Sequence, residues 1–201
     1  MNQTDKAKRF AELHVKGAPL LLYNAWDAGS AKSIRDAGSP AIATSSWAVA
    51  EAQGYRDGEA IPIELAEQIV ARIAATIDVP VTVDFEGGYS EDDGELAYNI
   101  ARLLGLGVIG INFEDRVVKG TGLYDIDRQA RRIAAIRSVA ENKAIGFFIM
   151  SRISYGPLPY IRAMSGLQQE AREGSVLNAA LDANKRAAFG AALKPSPEIR
   201  S

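Results

Sequence analysis

The chain of 201 residues contains no cysteine and a single histidine, His14. The first absence excludes disulfides, thiolate metal sites and a cysteine nucleophile; the second excludes any site that needs two imidazoles from one chain. Neither sign of charge is in excess. With 23 basic residues against 25 acidic ones, the net charge of −2 offers no broad footprint for nucleic acid or for an anionic membrane. No run approaches the roughly 20 apolar residues of a membrane span, and the opening MNQTDKAKRFAEL lacks the apolar core of a signal peptide. The expectation is a cytoplasmic protein acting on a small polar ligand. What remains is ordinary globular material, 47% hydrophobic and 24% charged, enough for a sizeable core.

Short apolar runs alternate with longer amphipathic ones from Pro19 to Ile149, the order expected of parallel strands joined by crossover helices. The strands are expected at 20–23, 41–44, 81–85, 108–113 and 147–151. Helices are expected at 28–37, with Asp27 as N-cap, and at 63–77, 95–104 and 126–140. His14, in an N-terminal helix candidate ahead of the first strand, reads as structural or exposed. After Arg152 the texture changes: Gly156, Pro157 and Pro159 interrupt the chain, and 165–193 reads as Ala-rich helix with no sixth strand. The chain thus divides into a β/α portion at 1–152 and a divergent helical segment at 153–201. A closed eight-stranded barrel typically takes about 250 residues, so five strands followed by none is an unfinished barrel.

The stretch Gly105-Leu106-Gly107-Val108-Ile109-Gly110 has the spacing of a dinucleotide-binding loop but the wrong context. Such a loop follows a strand and opens a helix, whereas these glycines close a helix and lead into a strand. TVDFEGGY is more informative. Asp84 and Glu86 lie two apart at the carboxyl end of a strand and share a face by alternation, opposite Val81, Val83 and Phe85. In VIGINFED, Asn112 and Glu114 share a face in the same way. Acids at two successive strand ends match the mouth of a barrel, where such enzymes build their sites. Three converging carboxylates repel one another unless a cation joins them, and oxygen donors without thiol or imidazole favour Mg²⁺ or Mn²⁺. The competing reading pairs these acids with Arg116 or Lys119, or makes them helix caps.

Thr44-Ser45-Ser46-Trp47-Ala48 offers hydroxyls and backbone N–H groups to a carboxylate or phosphonate, though such a segment is more often only a turn or an N-cap. Arg152, ending the fifth strand, carries a fork suited to clamping a carboxylate, with a surface salt bridge equally plausible. Gly54-Tyr55-Arg56-Asp57-Gly58 reads as a mobile turn from which Asp57 can reach a metal through water; a solvated Asp is the commoner outcome.

Together LLYNAWDAGSA, AIATSSWAVAEAQGY, VPVTVDFEGGY and VIGINFED resemble the phosphoenolpyruvate mutase and isocitrate lyase superfamily over residues 15–152. The resemblance implies a TIM-type (β/α) barrel, often with subunits exchanging a helix, and a Mg²⁺ ion holding a small 2-oxo or hydroxy acid. It assigns Asp84, Glu86 and Glu114 to the metal shell, some acting through water, and Asp57 to an outer metal position on a gating loop. Ser45, Ser46 and Trp47 take the substrate-binding turn, beside Asn112, and Arg152 the substrate clamp. The implied chemistry passes through an enolate, breaking or moving a C–C or P–C bond.

Two departures qualify this. Where the lyases carry a Lys-Lys-Cys-Gly-His loop, this chain has Arg116-Val117-Val118-Lys119-Gly120-Thr121-Gly122, leaving Lys119 as the nearby acid or base. Where relatives read Asn-Ala-Arg-Thr-Asp, it has Met150-Ser151-Arg152-Ile153-Ser154, and beyond Arg152 the resemblance stops, implying a truncated or frameshifted C-terminal third. Two functions follow: a Mg²⁺-dependent lyase-type enzyme, or an inactive family member that still binds metal and small carboxylates. A homo-oligomer is left open by either.

Overall fold

The computed structural model describes residues 1–152. The readings for 153–201, and those that depend on the side chains of Ser151 and Arg152, lie outside the described residues. Five strands, β1 (Tyr23–Ala25), β2 (Ile42–Thr44), β3 (Val81–Asp84), β4 (Gly110–Glu114) and β5 (Phe148–Arg152), form one parallel sheet in sequential order. Helix α1 (Gln3–Glu12) precedes the sheet. Helix α2 (Ala28–Asp36), the pair α3 (Ser46–Ala52) and α4 (Ile63–Thr76), α5 (Asp93–Gly105) and α6 (Ile126–Asn142) fill the four crossovers. A parallel sheet wound strand after strand with intervening helices is the wall of a β/α barrel of the TIM type.

Local chemistry explains the boundaries. Asp27, Asp92 and Asp125 each cap a helix by accepting from a backbone N–H three residues on, and Asp27 with Ser30 completes a reciprocal capping box. Each such cap contributes about 1 kcal/mol. The helices bury one stripe each against the outer face of the sheet: Ile69, Val70 and Ile73 from α4, Leu96, Ile100 and Leu103 from α5, and Ile136 and Ala140 from α6. Val81, Val83, Ile111 and Phe113 meet them from the strands, so the expected alternation of outward apolar residues holds.

Three expectations need correction. The first strand runs from Tyr23 rather than spanning 20–23, because Leu20 and Leu22 pack into a separate cluster with α1 instead of joining a ladder. The segment after β2 is not a turn but the start of α3, with Ser45 as its N-cap and Ser46 its first residue. His14 lies just past α1, whose C-cap is Leu13. Its structural reading stands: Nδ1 is 2.7 Å from the Phe10 carbonyl oxygen and the ring stacks on Phe148 at 5.7 Å.

That cluster seals one end of the sheet. Phe10 is fully buried among Ala41, Ile109 and Phe148 and meets the Phe148 ring edge-on at 4.8 Å. Burying such a ring contributes about 1.5–3 kcal/mol. Gln3 ties the helix down by donating from Nε2 to the carbonyls of Leu104 (2.9 Å) and Val108 (2.7 Å). Phe148 fits only because its neighbour in the sheet has no side chain. A Cβ on Gly110 would stand 2.7 Å from the Phe148 carbonyl oxygen and 2.9 Å from its Cβ. Gly110→Ala should therefore destabilise the protein by about 1–3 kcal/mol, the usual cost of overpacking, measured as a lowered urea midpoint with an unchanged slope.

Candidate active site

The carboxyl ends of β2, β3 and β4 meet the loops that follow them, and the acids gather there. Asp84 is the last residue of β3, in register with Asn112 of β4. Its position is set from both sides. Its backbone N–H donates to Thr44 Oγ1 at 3.0 Å, and its Oδ2 accepts from the Ser46 N–H at 3.1 Å and the Ser46 hydroxyl at 2.9 Å. The other oxygen, Oδ1, is buried without a hydrogen-bond partner. Ser46 Oγ also lies 3.4 Å from Asp57 Oδ1, so one hydroxyl links two carboxylates.

Glu86 reaches the site by a different route from the alternation expected of it. The strand ends at Asp84, and Glu86 sits in the left-handed region at φ 48°, so loop conformation rather than pleat sets its direction. Its Oε1 accepts from the Glu59 N–H at 3.2 Å. Glu59, which no sequence motif marks, is buried; its Oε1 accepts from the Tyr89 N–H at 2.8 Å, and Lys119 Nζ stands 3.9 Å from its Oε2. Glu59, Glu86 and Tyr89 are three of the four non-glycine residues with positive φ among the described residues. Each such conformation costs on the order of 1–3 kcal/mol, and strain of this kind concentrates where a site demands it. The two glycines of TVDFEGGY serve the same loop. Gly88 has φ +81°, and a Cβ on Gly87 would fall 2.8 Å from Val118 and 3.1 Å from Glu59.

The remaining expected residues are spread around this centre. Glu114 ends β4, its N–H donating to the Glu86 carbonyl at 2.8 Å, and Arg152 lies opposite it in the β4–β5 register. Asn112 is half-buried on β4. Ser45 accepts from the Ala48 N–H as an N-cap, and Trp47 stands 59% exposed on α3. Thr44, Ser46, Asp84, Glu86 and Tyr89 line one cleft, backed by apolar residues including Val49, Ile61 and Phe85.

Electrostatics bind these groups into one unit. Burial pushes the Glu86 carboxyl up to about 7, and the charges of Asp57, Glu59 and Asp84 push it the same way, against the Glu59 N–H. Burial likewise raises Glu59, opposed by the Tyr89 N–H and Lys119, and it raises the Tyr89 phenol together with Glu86, Glu59, Asp57 and Asp84. A hard dication suits such a place: the donors are all oxygen, like charges face one another, and a buried carboxylate oxygen lacks a partner. The side chains are not, however, drawn together as a finished shell. Among the described residues no three Asp, Glu, His or Cys groups stand close enough to hold a metal ion.

Comparison with known proteins places the chain. The family model for phosphoenolpyruvate phosphomutase matches residues 10–155. The chain belongs to this family. It therefore falls within the phosphoenolpyruvate mutase/isocitrate lyase superfamily. An uncharacterized protein of Mycobacterium tuberculosis strain H37Rv is 35% identical over 128 residues, 64% of this chain and 47% of that protein. The chain thus spans about half the length of the curated relatives it matches. A provisionally named phosphonomutase from Burkholderia cenocepacia J2315 is 37% identical, with a TM-score of 0.76 over 83% of this chain and 72% of that one. A phosphonopyruvate hydrolase solved with oxalate and Mg²⁺ shares the fold at 22% identity, with a TM-score of 0.68 over 91% of this chain and 60% of that one. Among the described residues of this family member, no helix is long and apolar enough to cross a membrane.

The raised Glu86 group makes a testable statement about the metal-free protein. A carboxyl that titrates near 4.5 in the unfolded chain and near 7 in the folded one favours folding in its protonated form, so stability is lost as pH rises between those values. The melting temperature in metal-free buffer should fall from pH 5 to pH 7.5, and Glu86→Gln should flatten that slope. An unaltered slope in the variant would assign the loss to another group.

Proposed function

We propose that the protein is a Mg²⁺-dependent lyase- or mutase-type enzyme that breaks or moves a C–C or P–C bond of a small 2-oxo or hydroxy carboxylic acid. The observation that carries this reading is the unpartnered, buried Asp84 Oδ1 at a strand end, in the shared field of Asp57, Glu59 and Glu86. Asp84 would hold the ion directly, with Glu86, Glu114 and Asp57 contributing to its shell, some through water. Mn²⁺ suits the same donors. When bound, the ion supplies a Lewis acid that orients a chelating substrate and stabilises the negative charge of its enolate.

The chain's own residues do the rest in this proposal. Ser46 fixes Asp84 through two donors to Oδ2, which leaves the buried Oδ1 to meet the ion. Ser45, Trp47 and Asn112 would border the substrate, and Arg152 would clamp its carboxylate or phosphonate group. Lys119 would serve as the acid or base that exchanges a proton with the substrate. The proposed setting is the cytoplasm, with a small carboxylate or phosphonate as partner rather than nucleic acid or membrane, and the reading leaves a homo-oligomer open.

A second reading has its own support. Lys119, the proposed acid or base, stands 3.9 Å from Glu59 Oε2; engaged there, it suits a family member that binds Mg²⁺ and small carboxylates without turnover. Two measurements separate the readings. Mg²⁺ with oxalate or pyruvate should raise the melting temperature, and Asp84→Ala should abolish that rise. Steady-state product formation from a panel of 2-oxo and hydroxy acids, lost with EDTA, supports the enzyme; stabilisation without turnover supports the binding protein. No stabilisation at all removes metal from both.

A further inference from the structure

The loop that delivers Glu86 is held by the helices behind it. Arg132, on α6, is fully buried, and its guanidinium donates to two carbonyls of that loop: Nη1 to Ser90 at 2.9 Å and Nη2 to Gly87. The plane of the group is packed against the Tyr124 ring at 4.5 Å and the Phe113 ring at 5.2 Å. Between its two targets, the Gly88 carbonyl accepts from Asn99 Nδ2 of α5 at 3.1 Å, and Asn99 is buried as well. About one turn back from Arg132 on the same face of α6, fully buried Gln129 donates from Nε2 to the Glu114 carbonyl at 3.0 Å. The Glu114 N–H in turn donates to the Glu86 carbonyl.

Burying a guanidinium is costly, and a fork spanning two carbonyls is the arrangement that a lysine ammonium cannot reproduce. On the same helix the apolar contact with the core is made by Ile136 and Ala140. The polar pair instead reaches past the sheet to the backbone on either side of the site. We propose that Arg132 and Gln129 form a positioning clamp, by which one face of α6 fixes the distance between the β3 loop bearing Glu86 and the β4 end bearing Glu114. The clamp acts through backbone carbonyls and touches no ligand. Its consequence for metal rests on the function proposed above; its mechanical part does not.

The test uses the full chain with Arg132→Lys, which keeps the charge and loses the fork, and Gln129→Met, which keeps the volume and loses the donor. Amide hydrogen exchange is read first, without metal. The Gly88, Tyr89 and Glu114 amides should exchange at least about tenfold faster in Arg132→Lys, and the Glu114 amide in Gln129→Met, while β2 and α2 keep their protection. Mg²⁺ affinity, read by calorimetry, should fall about 10–100-fold in both, the usual effect of losing a group that orients ligands. Unchanged exchange in the loop, acceleration spread evenly over the chain, or failure of both variants to fold overturns the clamp. If the parent protein binds no Mg²⁺, the metal reading fails while the exchange data still decide the clamp.

Discussion

Asp57, Glu59 and Asp84 all act on the Glu86 carboxyl, and the hydrogen bonds that hold this group of acids come chiefly from neutral donors. Asp84 is held by a serine amide and hydroxyl, Glu86 by the Glu59 amide, and Glu59 by the Tyr89 amide. Hydrogen bonds of this kind orient a carboxylate and ease its desolvation, but they leave its charge in place. The cleft therefore retains a demand for positive charge, which Lys119 meets only at Glu59 and at 3.9 Å. Burial raises the Glu86 group first and the neighbouring carboxylates add to it, and those same charges are what the proposed dication would offset.

The scaffold converts this local tension into a fixed geometry. Parallel strands bring backbone from distant segments side by side, so that Thr44 can orient Asp84 and the Glu114 amide can hold the Glu86 carbonyl. Helices α5 and α6 then do two jobs with one face: apolar residues bind the sheet, and Asn99, Gln129 and Arg132 bind the loops above it. A loop satisfied at successive carbonyls by buried side chains keeps its shape even where three residues adopt left-handed backbone.

Much of this was legible because it is written locally. The five strands and the major helices follow from apolar runs, periodicity and N-caps such as Asp27, and the acids of TVDFEGGY and VIGINFED stand out by their place at strand ends. The errors are equally local in origin. Leu20 and Leu22 have the composition of a strand but are claimed by Phe10 and its neighbours, and the hydroxyls of residues 44–46 look alike although one orients Asp84, one caps a helix and one links two carboxylates. Glu59, Asn99, Gln129 and Arg132 were invisible for a different reason. Their partners lie across the fold, 27 residues away for the Glu59 and Glu86 contact and 45 for Arg132 and Gly87, and no short pattern encodes a contact made only when the strands and helices assemble.

The helix that seals the far end of the sheet gives the molecule a polarity. Gln3 is bound to the carbonyls of Leu104 and Val108 just before β4 begins, at the opposite pole from the acids. Anything appended ahead of Met1 would emerge beneath the floor, remote from the open rim. An affinity handle or reporter belongs at that pole, where it leaves the entrance unobstructed.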